Sequence, residues 1–79
     1  MKTFKDLEFK PHPSGTGKIA RMEFGNHHGI SVIQGHIFLG DSELYDMAET
    51  YNGEVVTSTN IMDATENDIT NKMIEIQKQ

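Results

Sequence analysis

The chain has 79 residues and no cysteine, which limits it to one small domain, residues 1–79, without disulfides or thiolate chemistry. The net charge is −5 and is uneven, since residues 1–40 carry five basic and three acidic side chains whereas residues 41–79 carry two lysines and nine acids. An acidic half repels phosphate backbones and no stretch is long and apolar enough for a leader or a membrane span, so we expect a cytoplasmic protein that contacts neither nucleic acid nor membrane.

The first element is an apolar anchor that is followed by a turn. Phe4, Leu7 and Phe9 are spaced to pack together, and Pro11 and Pro13 stop the short strand that follows them. The composition of PSGTG, residues 13–17, then predicts a turn or loop.

The stretch HPSGTGKIA, residues 12–20, shares its Gly17-Lys18 pair with phosphate-binding loops. Such a loop needs a glycine where His12 stands and a hydroxyl residue where Ile19 stands, and it must lead into a helix. The residues after Lys18 alternate as in a strand, so we predict a solvent-exposed turn.

Residues 18–34 predict a β-hairpin. Ala20, Met22 and Phe24 fall on one side of an alternating strand, and ISVIQ, residues 30–34, is rich in β-branched side chains. The intervening GNHHG closes the hairpin, with Asn26 and the two glycines suited to left-handed backbone.

Residues 41–58 allow two interpretations. Apolar residues from Leu44 to Tyr51 recur at helical spacing, which permits a helix ending before Gly53. The same residues also alternate as in a strand, with Asn52-Gly53 as a type I′ turn and residues 54–58 as the returning strand. We favour the hairpin because EVVTST has the composition of a strand and needs a neighbour.

The C-terminal residues 66–77 predict one amphipathic helix. Thr65 and Asp68 have the spacing of a capping box, and an apolar stripe follows at helical spacing. The stripe consists of Ile69, Met73, Ile74 and Ile76. The predicted fold class is therefore α+β, a small antiparallel sheet of about four to five strands in two β-hairpins, with the helix packed on one face.

No residue pattern predicts catalysis, a metal or a cofactor. The four histidines, His12, His27, His28 and His36, lack the spacing that brings three ligands together, and their turn positions favour exposure to water. We therefore expect a protein that is not an enzyme.

The acids of the second half are the candidate partner-binding residues. Glu66 and Asp68 have a structural explanation at the helix N-terminus. On a hairpin, several others project from one exposed face as a negative strip with an aromatic anchor, although an ordinary solubilising surface is the alternative. This predicted strip consists of Asp41, Glu43, Tyr45, Asp46, Glu49 and Glu54.

An alternative site is a cationic cradle for a phosphate, formed by Lys10, Lys18 and Arg21 with the loop of residues 14–18. A domain this small needs an interface between subunits to complete such a pocket. This interpretation predicts a homo-oligomer that sequesters a nucleotide signalling molecule.

Residues 4–13, FKDLEFKPHP, and 24–35, FGNHHGISVIQG, resemble a family of small uncharacterised bacteriophage and prophage proteins. Its pattern is F-x-D-L-x-F-K-P-H-P followed by an F-x-N-G-x-G-x-S-V-x-x-G hairpin, and the chain departs from it at His27, where the family usually has glycine. The resemblance implies the double hairpin and a phage setting, and it transfers no catalytic residue. The matching residues are Phe4, Leu7, Phe9, Lys10, Pro11, His12, Pro13, Phe24, Asn26, Gly29, Ser31, Val32 and Gly35, with weaker matches at Tyr45 and Ala48.

These observations predict a small acidic phage-type protein that binds and inhibits a host protein in the host cytoplasm, a component of antiviral defence in the manner of anti-CRISPR proteins. The nucleotide sponge and a minor virion or assembly component are the alternatives. A homodimer is compatible with each of them because a domain with a small core and exposed strand edges favours pairing between two copies.

Overall fold

The computed structural model describes residues 1–11, 13, 17–34 and 44–78. Within these residues one antiparallel sheet carries a C-terminal helix on one face, so the predicted α+β class is confirmed. The strand order is β1-β2-β3-β4-β5, and β6 also pairs with β4. The strands are β1 (Lys10–Pro11), β2 (Lys18–Gly25), β3 (His28–Gln34), β4 (Tyr45–Tyr51), β5 (Glu54–Val55) and β6 (Ile61–Ala64), and the helix is α1 (Glu66–Gln77).

The first hairpin, β2 and β3, forms as predicted, with Ala20 opposite Val32 on the helix-facing side. Its two turn residues are Asn26 and His27, whose φ angles are 53° and 69°. The prediction was right for Asn26 and wrong for the two flanking glycines, which lie in the strands. A two-residue type I′ turn needs positive φ at both central positions, so the strain falls on His27.

The replacement His27→Gly is expected to stabilise the fold by about 1 kcal/mol, because glycine adopts positive φ without the clash that a β-carbon causes. Thermal denaturation of the variant and the parent chain measures the gain. His27→Ala is the control, since it removes the imidazole and keeps the unfavourable φ. Equal melting temperatures for the two variants would show that φ strain is not the cause.

The second hairpin, β4 and β5, decides between the two interpretations of residues 41–58 in favour of strands. Asn52 and Gly53 have φ angles of 52° and 81°, as a type I′ turn requires. The returning strand ends at Val55 rather than at residue 58. It ends there because residues 57–59 form a 3-10 turn, in which the Thr59 hydroxyl accepts the backbone N–H of Glu49 at 2.9 Å and replaces a ladder partner.

Strand β6 has no counterpart in the sequence predictions. Ile61 pairs with Met47 and Ala64 pairs with Tyr45, which leaves two residues of β6 opposite one residue of β4. This bulge contains Asp63, whose φ is 57°. A strand of four residues with a bulge has no clear alternation, so its pattern does not predict a strand.

The core lies between the sheet and α1. The N-terminal anchor is confirmed, since Leu7 is buried and the rings of Phe4 and Phe9 lie 5.2 and 5.8 Å from that of Tyr45. The residues Phe4–Asp6 form a 3-10 turn. The buried core residues are Leu7, Ala20, Ile30, Val32, Tyr45, Met47, Ala64, Ile69, Met73 and Ile76.

Helix α1 begins as predicted. The Thr65 hydroxyl accepts the backbone N–H of Asp68 at 3.1 Å, and the Asp68 carboxylate accepts that of Thr65 at 3.0 Å. The backbone hydrogen bond from Thr65 is the main cause that lowers the pKa of Asp68 below its usual value, and the bond with the Thr65 side chain lowers it further. The ionised carboxylate is therefore the form that the helix cap stabilises.

The lowered pKa of Asp68 predicts a pH-dependent contribution to stability. The contribution is fully present above the unfolded-state pKa, about 4, and is lost as the pH falls through the lower folded-state pKa. The difference in melting temperature between the parent chain and Asp68→Asn should therefore be largest near neutral pH and should narrow below about pH 4. A difference that stays constant with pH would contradict this assignment.

Candidate interaction surface

The Gly17-Lys18 pair, which resembles the end of a phosphate-binding loop, leads into a strand and not into a helix. Lys18 begins β2, and Gly17 has a φ of 73° in the turn that precedes it. Residues 12 and 14–16 lie outside the described residues. The prediction of a strand after this loop is confirmed.

The three cations of the predicted phosphate cradle lie on both faces of the sheet. Lys10 and Arg21 line one depression of about 250 Å³ together with Glu8 and Ile19, on the face opposite the helix. Lys18 alternates with Ile19 and is not part of this lining. Arg21 also donates from Nη1 to the carbonyl oxygen of Gly53 at 3.2 Å, so its guanidinium reaches across β3 and already has a partner.

The predicted negative strip is not assembled among the residues that the structure describes. Asp46 and Glu49 lie on opposite faces of β4 because successive side chains alternate, and Glu54 lies on β5. Glu49 faces the helix, where its carboxylate is 3.5 Å from the Lys72 ammonium. Asp41 and Glu43 lie outside the described residues.

The role of Tyr45 as an exposed aromatic anchor is corrected. Its side chain is 7% exposed, because β4 is an inner strand and the ring packs against two phenylalanines on the helix-facing side. An aromatic residue does stand exposed at the other end of β4, where Tyr51 is 47% exposed.

The two adjacent histidines of the first hairpin both lie beside Tyr51. The ring centroids of His27 and His28 are 6.1 and 5.1 Å from that of Tyr51, in edge-on orientation. Across the described ranges, no three histidine or acidic side chains come close enough together to hold a metal ion. His12 and His36 lie outside those ranges.

Exposed apolar side chains concentrate at the edge of the sheet where β5 and β6 pair with β4. Apart from Met1, every exposed large hydrophobic residue in the described part of the chain lies between residues 44 and 62, on β4 or on the segments along its outer side. Met62 is 64% exposed. We call this surface the outer edge, and it consists of Leu44, Tyr51, Val55, Val56, Ile61 and Met62.

A depression of about 380 Å³ lies between β6 and α1, and we call it the β6–α1 groove. Met47 and Ala64 are buried at its base, whereas Ile61 and Met62 are exposed at its side. The groove thus extends the apolar outer edge towards the helix. Its charged lining residues are Asp63, Asp68, Lys72 and Glu75.

The positive charge in this groove is compensated. The Lys72 ammonium lies 3.5 Å from the Glu49 carboxylate and 3.4 Å from that of Glu75. Asp63 and Asp68 add two further carboxylates, so the lining has a net negative charge. Sequence reasoning missed Ile61 and Met62 as surface residues, and the one signal for them was an apolar pair in a polar stretch without strand or helix periodicity.

Comparisons with protein-family models, with curated proteins and with solved structures give no significant match to this chain. The resemblance to phage proteins therefore stays a prediction. No helix among the described residues has the length and hydropathy needed to cross a bilayer.

Proposed function

We propose that the protein is a non-catalytic binding module that docks on another protein through its outer edge. The concentration of exposed apolar side chains on this one side of the sheet is the observation that carries the proposal. Single exposed apolar residues are normal anywhere on a protein surface, whereas their concentration on one side of a fold favours an interaction site there.

The charge of this half of the molecule defines the partner as a basic protein surface. Residues 44–78 contain seven acids and two lysines, and one of these lysines, Lys72, is paired with carboxylates. Complementary potentials accelerate association and select partners, while a phosphate backbone would be repelled. The binding is therefore sensitive to salt.

The resemblance to phage proteins supports a specific setting for this activity. In that setting the partner is a host protein of antiviral defence, and the module inhibits it by occupying a basic surface that the host protein needs. The nucleotide sponge receives less support, because its three cations lie on both faces of the sheet.

Affinity capture from a bacterial lysate tests the proposal. A tagged parent chain should retain one basic protein that is released by high salt. The double variant Val55→Ser/Met62→Ser should lose it, because both exposed side chains belong to the outer edge. Met1→Ser behind the tag is the matched control, since Met1 is 73% exposed and lies elsewhere in the fold.

Capture of the same protein by the parent chain and by the double variant would contradict a role for the outer edge. Capture of no protein at any salt concentration would contradict the proposed function. Light scattering on the purified chain detects the remaining outcome, in which the outer edge pairs with a second copy.

A further inference from the structure

We infer that the β6–α1 groove receives one apolar side chain of the partner, and that lysines or arginines flank this side chain in the partner sequence. The inference rests on the proposed function and deepens it, because it names the part of the surface that confers specificity and the chemistry that it recognises.

The base of the groove is apolar, and this is why we infer that the partner's inserted side chain is apolar. Met47 and Ala64 are 4% and 1% exposed and leave an apolar floor, and the exposed Ile61 and Met62 provide a side wall. Methionine is unbranched and adapts its shape to a neighbour. An inserted aliphatic side chain would pack on this floor and remove the exposed side chains of Ile61 and Met62 from water.

The rim of the groove is acidic, and this is why we infer lysines or arginines beside the partner's inserted side chain. Asp63 and Glu75 lie at the rim, and Asp68 lies at the first turn of α1 with its charge stabilised by the helix cap. The cation of the lining, Lys72, already has two carboxylate partners. A basic segment therefore gains the carboxylates of Asp63 and Asp68, which form no ion pair among the described residues.

The bulge in β6 determines how the partner's segment binds. Met62 and Asp63 face one residue of β4, and the positive φ of Asp63 interrupts the regular alternation of N–H and C=O groups along the strand. Bulges of this kind protect sheet edges from adding another strand. The partner consequently binds through side chains in the groove rather than through a continuous backbone ladder.

The same charges argue against a second copy of this chain as the occupant. Two copies that met groove to groove would bring their acidic rims together, because a two-fold interface joins identical surfaces. Like charges in contact oppose such a pairing.

Titration of the labelled protein with short synthetic peptides, followed by amide NMR shifts, tests the inference. The probe is a peptide with one leucine between two pairs of lysines. Its shifts should be confined to Met47 and residues 61–75, which line the groove. A peptide with serine in place of the leucine should bind about tenfold more weakly or worse, because the buried apolar area is lost.

Protein variants then test the rim. Asp63→Asn/Glu75→Gln removes two charges, and asparagine tolerates the positive φ at position 63. We expect the leucine peptide to bind this variant about three- to tenfold more weakly. Glu8→Gln/Glu23→Gln is the matched control, since it removes two exposed acids outside the groove and outside residues 44–78 and should leave the affinity unchanged.

Equal binding of the leucine and serine peptides, or shifts spread over all acidic surfaces, would overturn the groove as the recognition site. The absence of any peptide binding would also overturn it. None of these three results affects the proposed function if capture of the basic protein still depends on Val55 and Met62. Groove shifts that depend on protein concentration without peptide would identify a second copy as the occupant and would likewise overturn the inference.

Discussion

The replacement Gly29→Ala is expected to lower the free energy of unfolding by about 3 kcal/mol. Gly29 lies in β3, between β2 and β4, and an added β-carbon would clash with the carbonyl oxygen of Met22 and lie 2.7 Å from the Thr50 hydroxyl. The carbonyl belongs to the sheet ladder, so the strands must separate to make room. Urea-induced unfolding followed by circular dichroism measures the loss.

Gly25→Ala is the control for this prediction. Gly25 lies in the same hairpin, and a β-carbon there would meet no atom within 4 Å. Its variant should stay within about 0.5 kcal/mol of the parent chain. A similar loss at both positions would mean that backbone freedom, rather than the close approach of β2 to β3, decides the choice of glycine.

The replacement Ile69→Ala is expected to cost about 3 kcal/mol, because the side chain is 0% exposed and its loss leaves a cavity between α1 and the sheet. A domain of 79 residues has a total stability of about 4–12 kcal/mol, so this variant should lose much of it. The melting temperature should fall by about 10 °C or more.

Ile74→Ala is the matched control on the same helix. Ile74 belongs to the apolar stripe that the sequence predicts, but it remains half-buried in the structure. Its replacement should cost about 1 kcal/mol. Equal losses at the two positions would contradict the helix orientation that places Ile69 against the sheet.

These four positions show where local sequence patterns suffice and where they do not. The 3.6-residue period predicts α1 and its capping box, but it does not distinguish Ile69 from Ile74, since the tilt of the helix on the sheet decides which of them is buried. The strand period likewise predicts the first hairpin. The close packing at Gly29 depends on the two neighbouring strands, and the alternation of apolar and polar residues in the sequence does not predict it.

The candidate site was less predictable than the fold. The acidic character of the second half is a property of composition, and the proposal of a basic protein partner rests on it. The placement of Glu49 and Tyr45 follows from the pairing of β4 with β3 and from α1, and it disperses the predicted strip. The groove follows from β6, which pairs with β4 although residues 52–60 separate the two strands in the chain.

The amino-acid sequence by itself determined the first hairpin, the C-terminal helix and the uneven charge, and it favoured the second hairpin over a helix, because each of these depends on residues close together in the chain. Only the tertiary structure decided that β5 and β6 share the outer side of β4, that Tyr45 is buried, and that Ile61 and Met62 remain exposed beside α1. The reason is physical. A side chain's burial depends on which distant strand or helix covers it, and short-range periodicity carries no information about that neighbour.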